Sequence, residues 1–335
     1  MECAFCLFYF SVIMRRGICM NKDFMWGYML KLSFHMWDDE FSPPKGWYLP
    51  KPYTECNDTD VSVWDEVIRY ISQLKFNTVL IDVGDGVQYE RHPEISAPDA
   101  WSKDFLKQKL DEMRALGLTP IPKLNFSTGH DTWMKKYRRM VSTPEYYAVC
   151  ADLIQEVCEV FDSPELFHLG FDEELPAFKK NHGLVVVRNA DLWWHDLNYL
   201  AGACEKYGAR PWIWSDYCWH HPELFFKNMS KSILQSNWYY GYFKDGIPEG
   251  DMTAIRTYEM LAEHGYDQVP TCSTWANIYN SRQTLAYGKD KLSGEHLKGY
   301  LTAPWKFTTA ADRYDLYTDA ERFWHGRKEF YPETL

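Results

Sequence analysis

Three carboxylates in succession, Asp172, Glu173 and Glu174, close the segment HLGFDEE (168–174). Neighbouring acids repel one another, which raises the pKa of one and can keep a carboxyl protonated near neutral pH, ready to act as a general acid. The same cluster would also be stabilised at a helix N-terminus, so spacing alone leaves both readings open. Other polar groups fall in comparable places: Asp82 and Asp85 in IDVGDG, Asn125, the run Ser127-Thr128-Gly129-His130, and Asp216. His130 has the chemistry to orient an acid or bind a substrate, or to be held in a loop by hydrogen bonds. Trp214, Trp238, Trp275 and Trp305 stand at or beside predicted strand ends. Flat apolar faces with one polar edge suit sugar rings, although any one of these tryptophans taken alone reads as core packing.

The elements that would carry these groups are legible as an alternation of short β-rich runs and amphipathic helical stretches. Strands are predicted at 26–34, 77–83, 118–125, 166–170, 210–215, 232–238, 268–274 and 298–304. Helices are predicted near 61–75, 102–116, 143–161, 186–207, 221–229, 251–264, 279–291 and 309–330. Ser102 and the run Ser142-Thr143-Pro144-Glu145 supply helix starts, and Gly117 supplies a stop. Eight βα units without a linker specify the α/β class and a single-domain (β/α)8 TIM barrel over residues 24–335. No G-x-G-x-x-G follows a strand, which weakens a dinucleotide-binding alternative. Active sites of such barrels lie at the C-terminal ends of the strands, where the acidic cluster and the tryptophans fall.

Composition narrows the partner. The 335 residues carry a net charge of −11 without a basic cluster, which argues against a nucleic-acid surface. Aromatic residues make up 17% of the chain, including 15 Trp, which favours a carbohydrate, either an oligosaccharide or a glycoconjugate. Nine cysteines without a repeating spacing read as reduced thiols, and Cys3 and Cys6 form a C-x-x-C with no second pair for zinc. Neither a metal nor a cofactor is expected. Residues 1–23 read as an extension of uncertain role. Their apolar run (3–14) is too short to span a membrane and is poorly built as a secretory signal, with Glu2 before it and Arg15-Arg16 after it. No membrane partner is expected, and a cytoplasmic location is, with export as the alternative if the natural N-terminus differs.

As a set, these segments resemble glycoside hydrolase family 20, the β-N-acetylhexosaminidases. HLGFDEE is similar to the family's H-x-G-G-D-E signature, with Phe171 in place of the second Gly. PKLNFSTGH (122–130) resembles P-E-I-D-x-P-G-H, departing at Lys123, Asn125 and Thr128. KFNTVLIDVGDG with HPEIS (92–96), WYYG (238–241) and GYLTAPWKF (299–307) follow in family order. The resemblance implies substrate-assisted retaining hydrolysis, in which the substrate's 2-acetamido oxygen replaces a protein nucleophile. It assigns Asp172 to the acetamido N–H, Glu173 to acid/base work on the glycosidic oxygen and Tyr239 to the acetamido carbonyl. Trp214, Trp238 and Trp305 would wall the pocket, with His130 and Asp85 in support. Two departures imply altered recognition of sugar hydroxyls. Phe34 stands where the family has an Arg, and Phe307 where it has a Glu. The small N-terminal α+β domain common in the family is not expected here. Two other readings stay open: a conventional glycosidase pairing Glu173 or Glu174 with Asp216 or Asp85, and a non-catalytic carbohydrate-binding barrel.

Overall fold

The computed structural model describes residues 24–37, 56–179, 182–188, 190–243, 248–292 and 294–335. The extension at 1–23, with Cys3 and Cys6, lies outside the described residues. The first half of the chain runs β1 (Met25–Lys31), α1 (Val61–Gln73), β2 (Thr78–Asp82), α2 (Lys103–Ala115), β3 (Thr119–Lys123), α3 (Pro144–Val160) and β4 (Leu166–His168). The second half continues through α4 (Pro176–Lys179), α5 (Ala190–Lys206), β5 (Arg210–Trp214), α6 (Tyr217–His220), α7 (Pro222–Asn228) and β6 (Leu234–Ser236). It ends with α8 (Glu249–Glu263), β7 (Thr271–Cys272), α9 (Asn280–Lys291), β8 (Gly299–Thr302) and α10 (Arg313–Phe330).

All eight strands pair in parallel, in the order β6-β5-β4-β3-β2-β1-β8-β7. Parallel bridges Gln235–Gln268 and Trp238–Thr271 join the two ends. The amide N–H groups of Val269 and Thr271 donate to the carbonyls of Gln235 and Asn237 at 2.8 Å, so the sheet closes into the expected (β/α)8 barrel.

Side-chain alternation divides the core in two. Met25, Met29, Leu80, Ile121, Trp212 and Leu301 fill the barrel, while residues of the opposite parity, such as Trp26, Tyr28 and Leu30, pack against the helices. The helix starts read from sequence are in place. The Ser102 and Thr143 side chains accept the N–H groups of Phe105 and Tyr146 at 3.2 Å, and Gly117 holds a left-handed φ of 78° after α2.

The predicted strands run past the observed ones. β1 stops at Lys31 because the N–H groups of both Leu32 and Ser33 turn to the single carbonyl of Asp82 (2.9 and 3.0 Å), which breaks the ladder. The helix predicted from 186 starts at Ala190, because residues 182–188 form the loop that brings Arg188 to the site. Four short pieces had no signal in the sequence: α4, α6 and the 3-10 segments Thr132–Arg139 and Pro332–Thr334.

Candidate active site

Parity carries polar side chains into the top of the barrel. Two residues beyond Met29, Leu80 and Ile121 come Lys31, Asp82 and Lys123, all buried. Lys123 Nζ donates to Asp82 Oδ2 at 2.7 Å, a buried ion pair. His168 Nδ1 accepts the Gly170 N–H at 3.0 Å, and its ring packs 4.4 Å from Trp214. Burial, followed by the charge of Lys123, pushes His168 well below the ordinary imidazole pKa, so it is neutral.

Past His168 the backbone is tightly constrained. Gly170 has φ 81°, and a Cβ there would lie 2.0 Å from Asn125 Oδ1. Phe171 and Glu173 hold φ of 68° and 53°, left-handed values that are costly for side chains of this kind. A glycine would relieve the first of these; here Phe171 is retained by packing on Trp193 at 5.4 Å and beneath the Arg188 guanidinium at 5.1 Å. The twist separates three consecutive acids into three environments.

Asp172 is buried, and its Oδ1 accepts the Ser127 hydroxyl at 2.5 Å and Asn125 Nδ2 at 3.3 Å. Glu173 is the more exposed, at 29% of its side chain. Glu174 turns away from the barrel mouth to accept the Thr128 N–H at 2.7 Å and to pair with Arg188, which also binds Asp196 at 2.7 Å. Glu174 thus ties the segment to Thr128 and Arg188.

His130 joins the other two. Its Nδ1 lies 3.3 Å from Asp172 Oδ2, off the hydrogen-bond direction, and its Nε2 lies 3.2 Å from Glu173 Oε2. Burial opposes a charge on this ring, but the two carboxylates prevail and raise its pKa to about 9. Burial would likewise raise Asp172, yet the His130 imidazolium holds that carboxyl well below its usual range. Behind Glu173, Asp216 Oδ2 accepts the Glu173 N–H at 2.9 Å, while its Oδ1 has no partner among the described residues. Burial and then the charge of Asp172 push Asp216 well above the carboxylate range, so it is a neutral acid. A cavity of about 250 Å³ adjoins it, bounded by Phe171, Glu174, Arg188 and Trp193 among others.

The aromatic wall differs in part from expectation. Trp214 is fully buried and lies 6.0 Å from Trp305, which holds a left-handed φ of 54°. Tyr240 lies 6.5 Å from Trp305 and stacks on Trp238 at 5.0 Å, and Trp238 meets Trp219 at 4.6 Å. Tyr239 is not in this wall. Its hydroxyl bonds Asp251 Oδ2 at 3.2 Å, and its ring packs with Ala254 and Tyr258 outside the barrel. The resemblance alone assigns Tyr239 to the sugar; β6 ends at Ser236, so no strand register directs its side chain into the mouth. Trp275 is 37% exposed. Asp85 accepts Ser33 Oγ at 2.8 Å and lies 2.5 Å from His35 Nδ1, which makes it a buried support. Phe34 and Phe307 are both buried, with ring centroids 4.5 Å apart. Tyr240, Trp219 and Lys31 stand beside these rings and carried no signal in the sequence. No group of metal-ligating side chains is present among the described residues.

A (β/α)8 barrel with an acidic pair and aromatic rings at its C-terminal mouth defines the class. No family model matches this sequence, and no curated protein does. Solved structures do match its fold. The chitobiase of Flavobacterium johnsoniae is 16% identical with a TM-score of 0.60, over 93% of this chain and 51% of its own. The exo-β-N-acetylglucosaminidase of Vibrio harveyi, solved with N-acetylglucosamine, is 12% identical with a TM-score of 0.59, over 94% and 58%. Dispersin B is 14% identical with a TM-score of 0.56, over 90% and 98%. This chain thus has the fold of the family 20 barrels and spans little more than half the length of the first two.

Proposed function

We propose that this protein is a glycoside hydrolase that acts on a β-linked 2-acetamido-2-deoxy sugar by substrate-assisted retention. The observation that carries this reading is His130 placed between Asp172 and Glu173 at the barrel mouth, with one carboxyl buried and the other facing out. Asp172, kept ionised by His130, accepts the acetamido N–H and stabilises the positive charge that develops as the acetamido oxygen attacks the anomeric carbon. Glu173, in its protonated form, gives its proton to the leaving oxygen and, as the carboxylate, then takes a proton from the water that opens the oxazolinium intermediate, which regenerates the acid. His130 orients both acids. Tyr240, in place of Tyr239, bonds the acetamido carbonyl, and Trp214, Trp238 and Trp305 pack on the sugar faces. Fold similarity to a chitobiase and a β-N-acetylglucosaminidase supports the substrate class.

A pair of separated carboxylates is less well supported. Glu174 is engaged by Arg188, Asp85 is engaged by Ser33 and His35, and Asp216 is a neutral acid bonded to the Glu173 backbone. The test is hydrolysis of aryl β-glycosides that differ only in a 2-acetamido or a 2-hydroxyl group. Substrate assistance requires cleavage of the first and not the second, together with tight inhibition by a thiazoline that mimics the oxazolinium. Equal cleavage of both would refute the mechanism.

A further inference from the structure

Lys31 is the charged group of the barrel mouth that neither the mechanism nor the fold uses. Its residue is 4% exposed, and its Nζ makes no ion pair or hydrogen bond among the described residues. It sits instead among aromatic rings, 5.2 Å from the centroid of Phe307, 5.5 Å from Trp305 and 6.0 Å from Trp37. Cation–π contacts recover only part of the cost of withdrawing an ammonium from water, so a buried charge ordinarily has an ionic partner.

The carboxylates that face this region are taken. Asp82 is held by Lys123 at 2.7 Å, Asp85 lies 2.5 Å from His35, and Asp172 lies 3.3 Å from His130. Asp312 accepts the Phe307 N–H at 3.2 Å and lies 3.9 Å from Lys306. Two rings nevertheless connect Lys31 to the acid pair. Trp37 meets the His130 ring at 5.7 Å, and Trp305 adjoins Trp214 at 6.0 Å. The amine therefore lies one aromatic ring away from the groups that would hold the sugar.

Building on the hydrolase reading above, we propose that Lys31 is a specificity-determining residue that receives an anionic substituent, a sulfate ester or a carboxylate, on the 2-acetamido sugar. The resemblance to family 20 puts an Arg and a Glu on this side of the sugar, where Phe34 and Phe307 here stack on each other. With that carboxylate replaced, and with Asp82 and Asp312 acting on Lys31 only from a distance, the substrate supplies the direct anionic partner. The low polarity of the surrounding rings strengthens the contact.

The test measures binding to the Glu173→Gln protein by calorimetry, so that no turnover is needed. The probes are methyl 2-acetamido-2-deoxy-β-glucoside and -galactoside, their sulfates at O3, O4 or O6, and the corresponding uronates. At least one charged sugar is expected to bind ten or more times more tightly than its neutral parent. In a Lys31→Met, Glu173→Gln protein that ratio should fall to near one, and Lys31→Arg should restore most of it, which separates lost charge from lost folding. Comparing sulfates with uronates tells which anion fits. Equal binding of charged and neutral sugars, or a preference that survives Lys31→Met, would overturn the proposal. The hydrolase reading fails separately, if the wild-type protein cleaves none of the matching aryl glycosides.

Discussion

The rings of Phe34 and Phe307 lie 4.5 Å apart, and Lys31 Nζ lies 5.2 Å from the second of them. An aromatic pair thus occupies the positions that the sequence marks as departures from the family's Arg and Glu, beside a cation without an ion pair among the described residues. This arrangement makes the two positions unequal. Phe307→Glu puts a carboxylate within reach of Lys31, whereas Phe34→Arg adds a second buried cation that lacks a partner. An unpaired buried charge costs about 3–5 kcal/mol. Phe34→Arg should therefore lower Tm clearly more than Phe307→Glu does, as measured by thermal melts of both variants at pH 7.

Lys31 should reduce stability in a defined pH window. Burial lowers its folded-state pKa from 10.5 to about 8, so between those values the unfolded chain binds more protons and stability rises with pH. The penalty is fully present below pH 8 and amounts to about 3 kcal/mol, at 1.36 kcal/mol per pKa unit. Lys31→Met should raise Tm by a few degrees at pH 7, with the gain shrinking towards pH 10.5. A variant less stable than wild type at pH 7 would contradict a net penalty for burying this charge.

His130 acts in the opposite sense. Its folded-state pKa is raised from 6.5 to about 9, so its contribution is fully present below pH 6.5 and is lost as pH rises through 9. His130→Gln should remove up to about 3 kcal/mol of stability at pH 6 and flatten the decline between pH 6.5 and 9. Denaturant unfolding across that range checks both the size and the slope.

Asp216 contributes through a neutral carboxyl that accepts the Glu173 N–H. Asp216→Asn keeps an acceptor in place and should change stability by less than about 1 kcal/mol, while Asp216→Ala strands the buried amide at a cost of about 1–3 kcal/mol. The alanine variant should also lower kcat with little change in KM, because the strained Glu173 backbone loses its anchor. Similar losses in both variants would show that Asp216 acts as a charge.

The legible and illegible parts of this molecule have a physical boundary. Strand periodicity located all eight strands, and because a barrel gathers strand ends at one mouth, Asp172, Glu173, His130, Trp214 and Trp305 could be placed there from sequence. Tyr239 is assigned by the resemblance of WYYG to a family motif, and because it and Tyr240 lie beyond the end of β6, where alternation ceases, no periodicity could correct that assignment. Trp275 follows a strand of only two paired residues, Thr271 and Cys272, too short to fix direction. Lys31 closes a strand buried on both faces, and without a hydrophilic face to mark register its inward aim had no signal. The separate fates of Asp172, Glu173 and Glu174 depend on left-handed backbone at Phe171 and Glu173, which residue type would argue against.

The most direct test of the account is hydrolysis of an aryl 2-acetamido-2-deoxy-β-glycoside by the wild-type protein and by Glu173→Gln, with the 2-hydroxyl analogue as the control. Sulfated or uronate forms belong in the same panel. Cleavage of a 2-acetamido substrate alone is expected, with a loss of at least about a hundredfold in kcat/KM in Glu173→Gln, the scale of general acid catalysis. Unchanged turnover in Glu173→Gln, or equal cleavage of the 2-hydroxyl analogue, would contradict it.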